Sequence, residues 1–299
     1  LLTEIRYFKS MTKNRQLAGT FISTNNFQNI LFYYLIGKIF KTTTVVDTVE
    51  YWTANKNIKG LERIDKYLYD KFYFLFTDRV ICISDFLIKK VWTSKKPYIL
   101  KVPSITDFDK FSNNNGAKLI DERYFLYCGS DAYFEVIDFV IVSFDRLNKD
   151  GVLLVLVTND SEKIRQRISL SKRNKFIRLL TNQPYSDLVN LYKNSEGLII
   201  PMRNSDQDKA RFPHKISEYC ASKRPIITNN VGEIKNYFNH NNAYLCNDMN
   251  EQEFADKMEE IISDPSKADI IGSNSFQTGI VNFNYKSYSK PITELFNKQ

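Results

Sequence analysis

The run Ile199-Ile200-Pro201-Met202-Arg203, continued by Ala210-Arg211-Phe212-Pro213-His214-Lys215-Ile216-Ser217-Glu218-Tyr219, reads as a strand, a polar loop and the start of a helix. The strand spans 197 to 200 and stops at Pro201, and Lys215 to Ala221 has helical spacing. Four basic residues, Arg203, Lys209, Arg211 and Lys215, gather where the helix begins. A helix start offers unpaired N–H groups and a positive dipole end, so with these side chains it makes a site for a phosphate or diphosphate. Glu218, one turn further on, cannot serve a phosphate. Its carboxylate suits the paired hydroxyls of a ribose instead. The chemistry of this run points to a nucleotide.

Working outward, short apolar strands alternate with helices. Thr44 to Val49 is β-branched and reads as a strand, and Ile58 to Phe76 has helical spacing. Asp78 to Ser84 is a second strand, with Ser84 or Asp85 capping the next helix. Ile99 to Val102 is a third, ended by Pro103. The stretch from Ser104 to Gly116 is polar and turn-rich and reads as a linker. A second run then opens with strand Tyr124 to Cys128, a tight turn at Gly129-Ser130, and helix Phe134 to Leu147. Strands follow at 152–157, 176–180, 197–200 and 225–228, with helices at 186–193, 215–221 and 254–262 and a helical end from Tyr285. The rhythm predicts an α/β protein of two Rossmann-like, doubly wound domains with a cleft between them. Their expected bounds are 1–110 and 111–284, with a C-terminal helix at 285–299 packing back on the first.

The composition agrees with a folded chain. Of 299 residues, 43% are hydrophobic and 25% charged, which excludes disorder for most of the length. Cys82, Cys128, Cys220 and Cys246 are scattered without a C-x-x-C pair, which fits reduced thiols in a cytoplasmic protein. No stretch reaches the roughly 18 apolar residues of a membrane span. The first residue is Leu1, so the chain reads as a fragment or a processed form with an incomplete first domain. The net charge is +8, and it is local: residues 1–111 hold 18 Lys and Arg against 10 Asp and Glu, and the remainder is balanced. Lys89, Lys90, Lys95 and Lys96, with Trp92 among them, suit an anionic membrane surface or acceptor; a solvated helix face is the plainer alternative. Nucleic-acid binding rests on charge alone and is not expected.

Phe212 to Ala221, followed by Arg224-Pro225-Ile226-Ile227-Thr228 and Gly232-Glu233-Ile234, resembles the donor half of a GT-B glycosyltransferase of the family 4 group. Phe125 to Ser130 resembles the opening of that half, and Tyr185 to Tyr192 its short helix before the proline loop. The resemblance implies transfer of a sugar from a UDP- or GDP-sugar, with retention at the anomeric carbon and neither a metal nor a cofactor beyond the donor itself. The acceptor it implies is a lipid-linked, polysaccharide or other glycan. It assigns the diphosphate to Arg211, Lys215 and the amides around His214 to Ile216, the ribose to Glu218, and the base to Leu180-Thr181. Gly129 and Ser130, Phe212 and Glu233 border the same donor site.

Three features depart from the family pattern. Ala210 stands where the E-x7-E motif places its first acid, and Asp206 or Asp208 is the nearest substitute. No basic residue lies between Ser130 and Asp145, where the family carries Arg and Lys. The first half is short and lacks the glycine-rich loop. These leave a second reading open, a sugar-nucleotide-binding protein without turnover. Glu50, just after a strand, is the candidate base for an acceptor hydroxyl, or else the partner of a nearby Lys. Glu233 either approaches the donor or stabilises a helix start. The D-x-D pairs at Asp107 and Asp206 read as loop caps, and with only His214 and His240 a histidine metal cluster is excluded.

Overall fold

The structure is a computed structural model that describes residues 2–13, 18–55, 58–91, 97–113 and 116–296. The chain divides into two compact units, Leu1–Pro103 with Ser205–Phe212 and Lys286–Gln299, and Ser104–Asn204 with Pro213–Tyr285.

In the first unit the elements run α1 (Leu2–Lys13), β1 (Gly19–Ser23), α2 (Phe27–Phe40), β2 (Thr43–Thr48), α3 (Gly60–Phe72), β3 (Arg79–Cys82), α4 (Asp85–Lys90) and β4 (Tyr98–Lys101). The strands form a parallel sheet in the order β1-β2-β3-β4. Ser84 caps α4 by accepting from the Leu87 amide, as its position after a buried strand predicts. Asp78 ties the sheet to α2: its Oδ2 accepts from the Thr44 amide at 2.9 Å and its Oδ1 from Lys38 at 2.6 Å.

The second unit starts with α5 (Phe108–Ser112), inside the stretch expected to be a linker. Phe108 and Phe111 are buried, so this polar segment is pinned by two aromatic side chains; Asn114 and Asn115 of the same expectation lie outside the described residues. There follow β5 (Arg123–Cys128), α6 (Phe134–Asp145), β6 (Val152–Val157), α7 (Glu162–Ser169), β7 (Ile177–Leu180), α8 (Tyr185–Lys193) and β8 (Gly197–Ile200). After β8 the chain contributes α9 (Asp206–Ala210) to the first unit, then returns as α10 (His214–Ala221). The remainder is β9 (Ile226–Asn229), α11 (Ile234–Tyr237), β10 (Tyr244–Cys246), α12 (Glu251–Ser263) and α13 (Pro265–Asn282), with α14 (Lys286–Glu294) belonging to the first unit.

The second sheet is parallel in the order β10-β9-β8-β5-β6-β7. Counted within the unit this is the doubly wound order 3-2-1-4-5-6 read from one edge, and the direction of winding reverses between β5 and β8. Every residue of β6 is buried, which is why its sequence is an unbroken apolar run without alternation. Its core joins Phe125, Ile137, Phe144, Leu154 and Leu156 with Phe254 and Met258 of α12. The four cysteines are free thiols. Among the described residues, no helix is long and apolar enough to cross a membrane.

Candidate functional site

A doubly wound sheet opens a crevice outside the carboxyl ends of the two strands where winding reverses. Here those ends lead into Gly129-Ser130 after β5 and into the loop from Pro201 after β8. Three side chains shape them. Asn229, fully buried at the end of β9, accepts from the Met202 amide at 2.7 Å and donates to the Met202 carbonyl at 2.8 Å, clamping the loop as it leaves β8. The Tyr219 hydroxyl accepts from the Cys128 amide at 3.1 Å and so fixes α10 to the end of β5. Gly129 has its amide on the Val157 carbonyl at 3.1 Å, and a Cβ there would sit 2.4 Å from the Tyr127 hydroxyl. Asn229 was not singled out in the sequence, and Tyr219 stood in the run from Ala210 without a role. An Asn closing an otherwise apolar strand was the available signal.

The start of α10 is built from polar backbone contacts. Its first residue follows Pro213, which gives no side-chain cap, so the first-turn amides are not covered by a capping side chain. Ser104 Oγ donates to the His214 carbonyl at 3.1 Å, Ser217 Oγ donates to the same carbonyl at 2.9 Å, and the Ile216 amide donates to the Pro213 carbonyl at 3.1 Å. His214 is exposed, Ile216 is buried, and Lys215 and Glu218 are half-buried.

Lys215 Nζ donates to Glu218 Oε2 at 2.8 Å, and the Tyr192 hydroxyl donates to the same oxygen at 3.3 Å. Burial pulls the Lys215 pKa down, but the Glu218 carboxylate with Cys128 and Tyr185 outweighs it, and the net shift is upward. Burial raises the Cys128 thiol, against the opposing pull of Lys215. Lys215 therefore stays a cation in a half-buried setting with its carboxylate partner in place.

Other expected residues fall as follows. Leu180 ends β7, where its carbonyl accepts from the Thr158 amide at 3.1 Å, and the Thr181 carbonyl accepts from Gln183 Nε2 at 2.8 Å. Ser130 is exposed and caps the short turn Asp131–Tyr133 through the Ala132 amide. Glu233 is buried, precedes α11 and accepts from Asn236 Nδ2 at 3.1 Å. Arg203 lies over the Tyr133 ring at 5.8 Å, with its guanidinium 3.4 Å from Glu135. The β8 loop thus brings a basic group to the stretch after Ser130 that has none of its own.

Arg211, Phe212 and Glu50 belong to the first unit. Arg211 makes a 2.7 Å ion pair with the buried Asp208 and lies 3.8 Å from Glu50. Glu50 therefore has a basic neighbour, an arginine rather than the lysine expected. Phe212 and Ala210 are fully buried, and the Ala210 carbonyl accepts from Ser84 Oγ. Asp206 and Asp208 sit in the first turn of α9, where Ser205 caps the Asp208 amide. Lys89 and Lys90 end α4, with Lys90 over the Tyr51 and Phe86 rings; Trp92, Lys95 and Lys96 lie outside the described residues.

One acidic residue went unmarked in the sequence. Asp47, near the end of β2, lines a hollow of about 380 Å³ with Ser23, Asn25, Trp52 and Tyr69. Burial raises its carboxyl to about 6, partly offset by a hydrogen bond from Ser23. A charged residue interrupting a β-branched strand was the visible sign of it.

A family model described as "Glycosyl transferases group 1" matches residues 109–278. Solved structures share the fold at low identity. Sucrose-phosphate synthase from Thermosynechococcus elongatus aligns with a TM-score of 0.74 and 16% identity, over 99% of this chain and 77% of its own. A glycosyltransferase from Rickettsia africae aligns at 0.75 and 16%, over 97% and 78%. HepE of Anabaena, solved in complex with UDP, aligns at 0.73 and 13%, over 97% and 80%. No curated protein matches the sequence.

Proposed function

The chain belongs to the group 1 glycosyl transferases, and from that premise we propose that it moves a sugar from a UDP- or GDP-sugar to a glycan, polysaccharide or lipid-linked acceptor with retention at the anomeric carbon. One observation carries the reading. The Lys215–Glu218 pair stands in the first turns of a helix whose start lies at the reversal point of a doubly wound sheet. HepE, of the same fold, was solved with UDP, which supports a uridine nucleotide as the first donor to try.

In this reading the α10 amides and Lys215 hold the diphosphate. As the bond from the anomeric carbon to the phosphate oxygen breaks, its electron pair stays with the leaving diphosphate. Fixed positive groups then gain in interaction energy without reorganising, which lowers the barrier, and they do the work a divalent cation does elsewhere. Arg203 supplies a second cation from the β8 loop. Glu218 Oε2, held by Lys215 and Tyr192, is oriented by them toward a pair of vicinal hydroxyls, and Leu180-Thr181 back the base. The new bond forms from the acceptor oxygen, whose proton passes to a base, for which Glu50 is the candidate.

A specific observation favours a second reading, binding without turnover. Ala210 is fully buried and Asp208, its nearest acidic substitute, is committed to Arg211. Titration calorimetry with UDP and GDP, followed by product analysis with UDP- and GDP-sugars, separates the two. Glu218→Ala should weaken nucleotide binding about tenfold or more, the cost of losing a charged hydrogen bond. Unchanged affinity would overturn the ribose assignment, and tight binding with no product would leave the second reading standing.

A further inference from the structure

The helix α3 presents its apolar side outward. At about 100° per residue, Leu61, Ile64 and Lys71 fall on one stripe, and Lys66, Tyr69 and Asp70 on the other. The second stripe is the buried one. Leu61 is 84% exposed, Ile64 57% and Tyr67 51%. The inward polar groups are satisfied. Lys66 Nζ donates to the Asn25 carbonyl at 2.6 Å and to Asn26 Oδ1 at 2.9 Å, while Asp70 accepts from the Trp52 and Thr53 amides at 3.2 and 2.7 Å. The fold turns Lys66, Tyr69 and Asp70 of this helix inward and leaves Leu61, Ile64 and Tyr67 facing water.

What surrounds the stripe is basic. A hollow of about 440 Å³ is lined by Tyr67 and Lys71 of α3 and by Lys89 and Lys90 of α4, together with Tyr51, Asp70 and Phe72. The nearby acids are turned to internal use: Asp70 as above, Asp65 accepting from the Phe27 amide at 3.1 Å, and Asp85 paired with Lys101 at 2.7 Å. Glu62, the other acid of α3, is two residues and so about 200° of helix rotation from Ile64.

We propose that this face of the first unit docks on an anionic lipid bilayer. Leu61, Ile64 and Tyr67 enter the boundary between headgroups and acyl chains, and Lys71, Lys89 and Lys90 engage lipid phosphates at the hollow. A second copy of the chain is a poorer occupant, because it would set the same three lysines against each other. The surface lies wholly in the first unit, and its test uses no donor, so it stands or falls apart from the transferase reading.

The experiment is co-sedimentation of the full chain with vesicles of phosphatidylcholine alone or with one-quarter phosphatidylglycerol. Binding should require phosphatidylglycerol and weaken with salt. The pair Lys89→Ala and Lys90→Ala should reduce partitioning about thirtyfold. Leu61→Ser with Ile64→Ser should reduce it at least tenfold, with the circular dichroism melt lowered by only a few degrees because both side chains are mostly in water already. Equal binding to both vesicles, or no effect of either pair, would overturn the proposal. So would a concentration-dependent dimer in light scattering that the Leu61 and Ile64 pair abolishes, since the face would then be a contact between copies.

Discussion

At the scale of single residues, the candidate site is held by pairs. Lys215 and Glu218 were each singled out in the sequence for separate roles; their pairing with each other is new in the structure, although a spacing of three on a helix brings two side chains within reach. Arg211 was not placed by the same logic, because its partners Asp208 and Glu50 depend on where the chain travels after β8. Arg203 supports a prediction of its own: Arg203→Ala should weaken UDP binding in calorimetry by about tenfold, in line with a charge-assisted contact, while leaving thermal stability nearly unchanged. Unaltered affinity would confine it to internal contacts, those with Glu135 and Tyr133 among them. Asp47 gives a pH prediction. Its folded carboxyl titrates near 6, above its unfolded value, so the folded state binds the extra proton and stability falls as pH rises from about 4 to 6. Asp47→Asn should remove that slope and stabilise the protein at pH 7.5 by on the order of 2 kcal/mol, read from denaturant midpoints at pH 4.5 and 7.5. A slope that survives the substitution would place the titrating group elsewhere.

At the scale of elements, the strongly apolar pieces were readable and the small-residue pieces were not. Strands β5, β6 and β8 announce themselves as buried runs, whereas β10 has three residues and β1 opens on a glycine. The helix α13 is the clearest case. Its buried positions include Ala268, Gly272, Ser275 and Gly279, a stripe at spacings of four, three and four. That stripe is helical in period but not apolar, so hydrophobic periodicity does not register it. Its purpose is close approach to the end of α10: a Cβ on Gly272 would lie 2.4 Å from the Lys223 carbonyl oxygen, and one on Gly279 would lie 2.5 Å from Cys220 Cβ. Gly272→Ala gains about 1 kcal/mol of helix propensity. It should still lower stability by roughly 1–2 kcal/mol net, because a backbone carbonyl cannot rotate out of the way as a side chain can. A raised melting temperature would show that the two helices separate without cost.

At the scale of the whole molecule, the doubly wound order of the second sheet followed from the rhythm of strands and helices, while the detour of residues 205–212 into the first unit did not. Local pattern describes neighbours in sequence, and α9 joins the first unit from far along the chain, as does α14, the helical end expected to pack back on it. Because the proposed donor groups at α10 and β5 lie in the second unit, UDP should raise only one of two calorimetric transitions, by about 2.7 kcal/mol in stability at a hundredfold excess over Kd. A single transition, or an equal shift of both, would contradict that division.

The excursion of residues 205–212 also limits how the molecule can be cut. The polypeptide passes between its units four times, at 103–104, 204–205, 212–213 and 285–286. An excised piece spanning 104–285 would carry Ala210 and Phe212 away from the first unit and turn two fully buried side chains into exposed ones. It would also leave Ser84 without the carbonyl it donates to. A folded fragment of the second unit would therefore need this octapeptide replaced by a short polar bridge, and that unit could not be passed to another protein by recombination at a single junction.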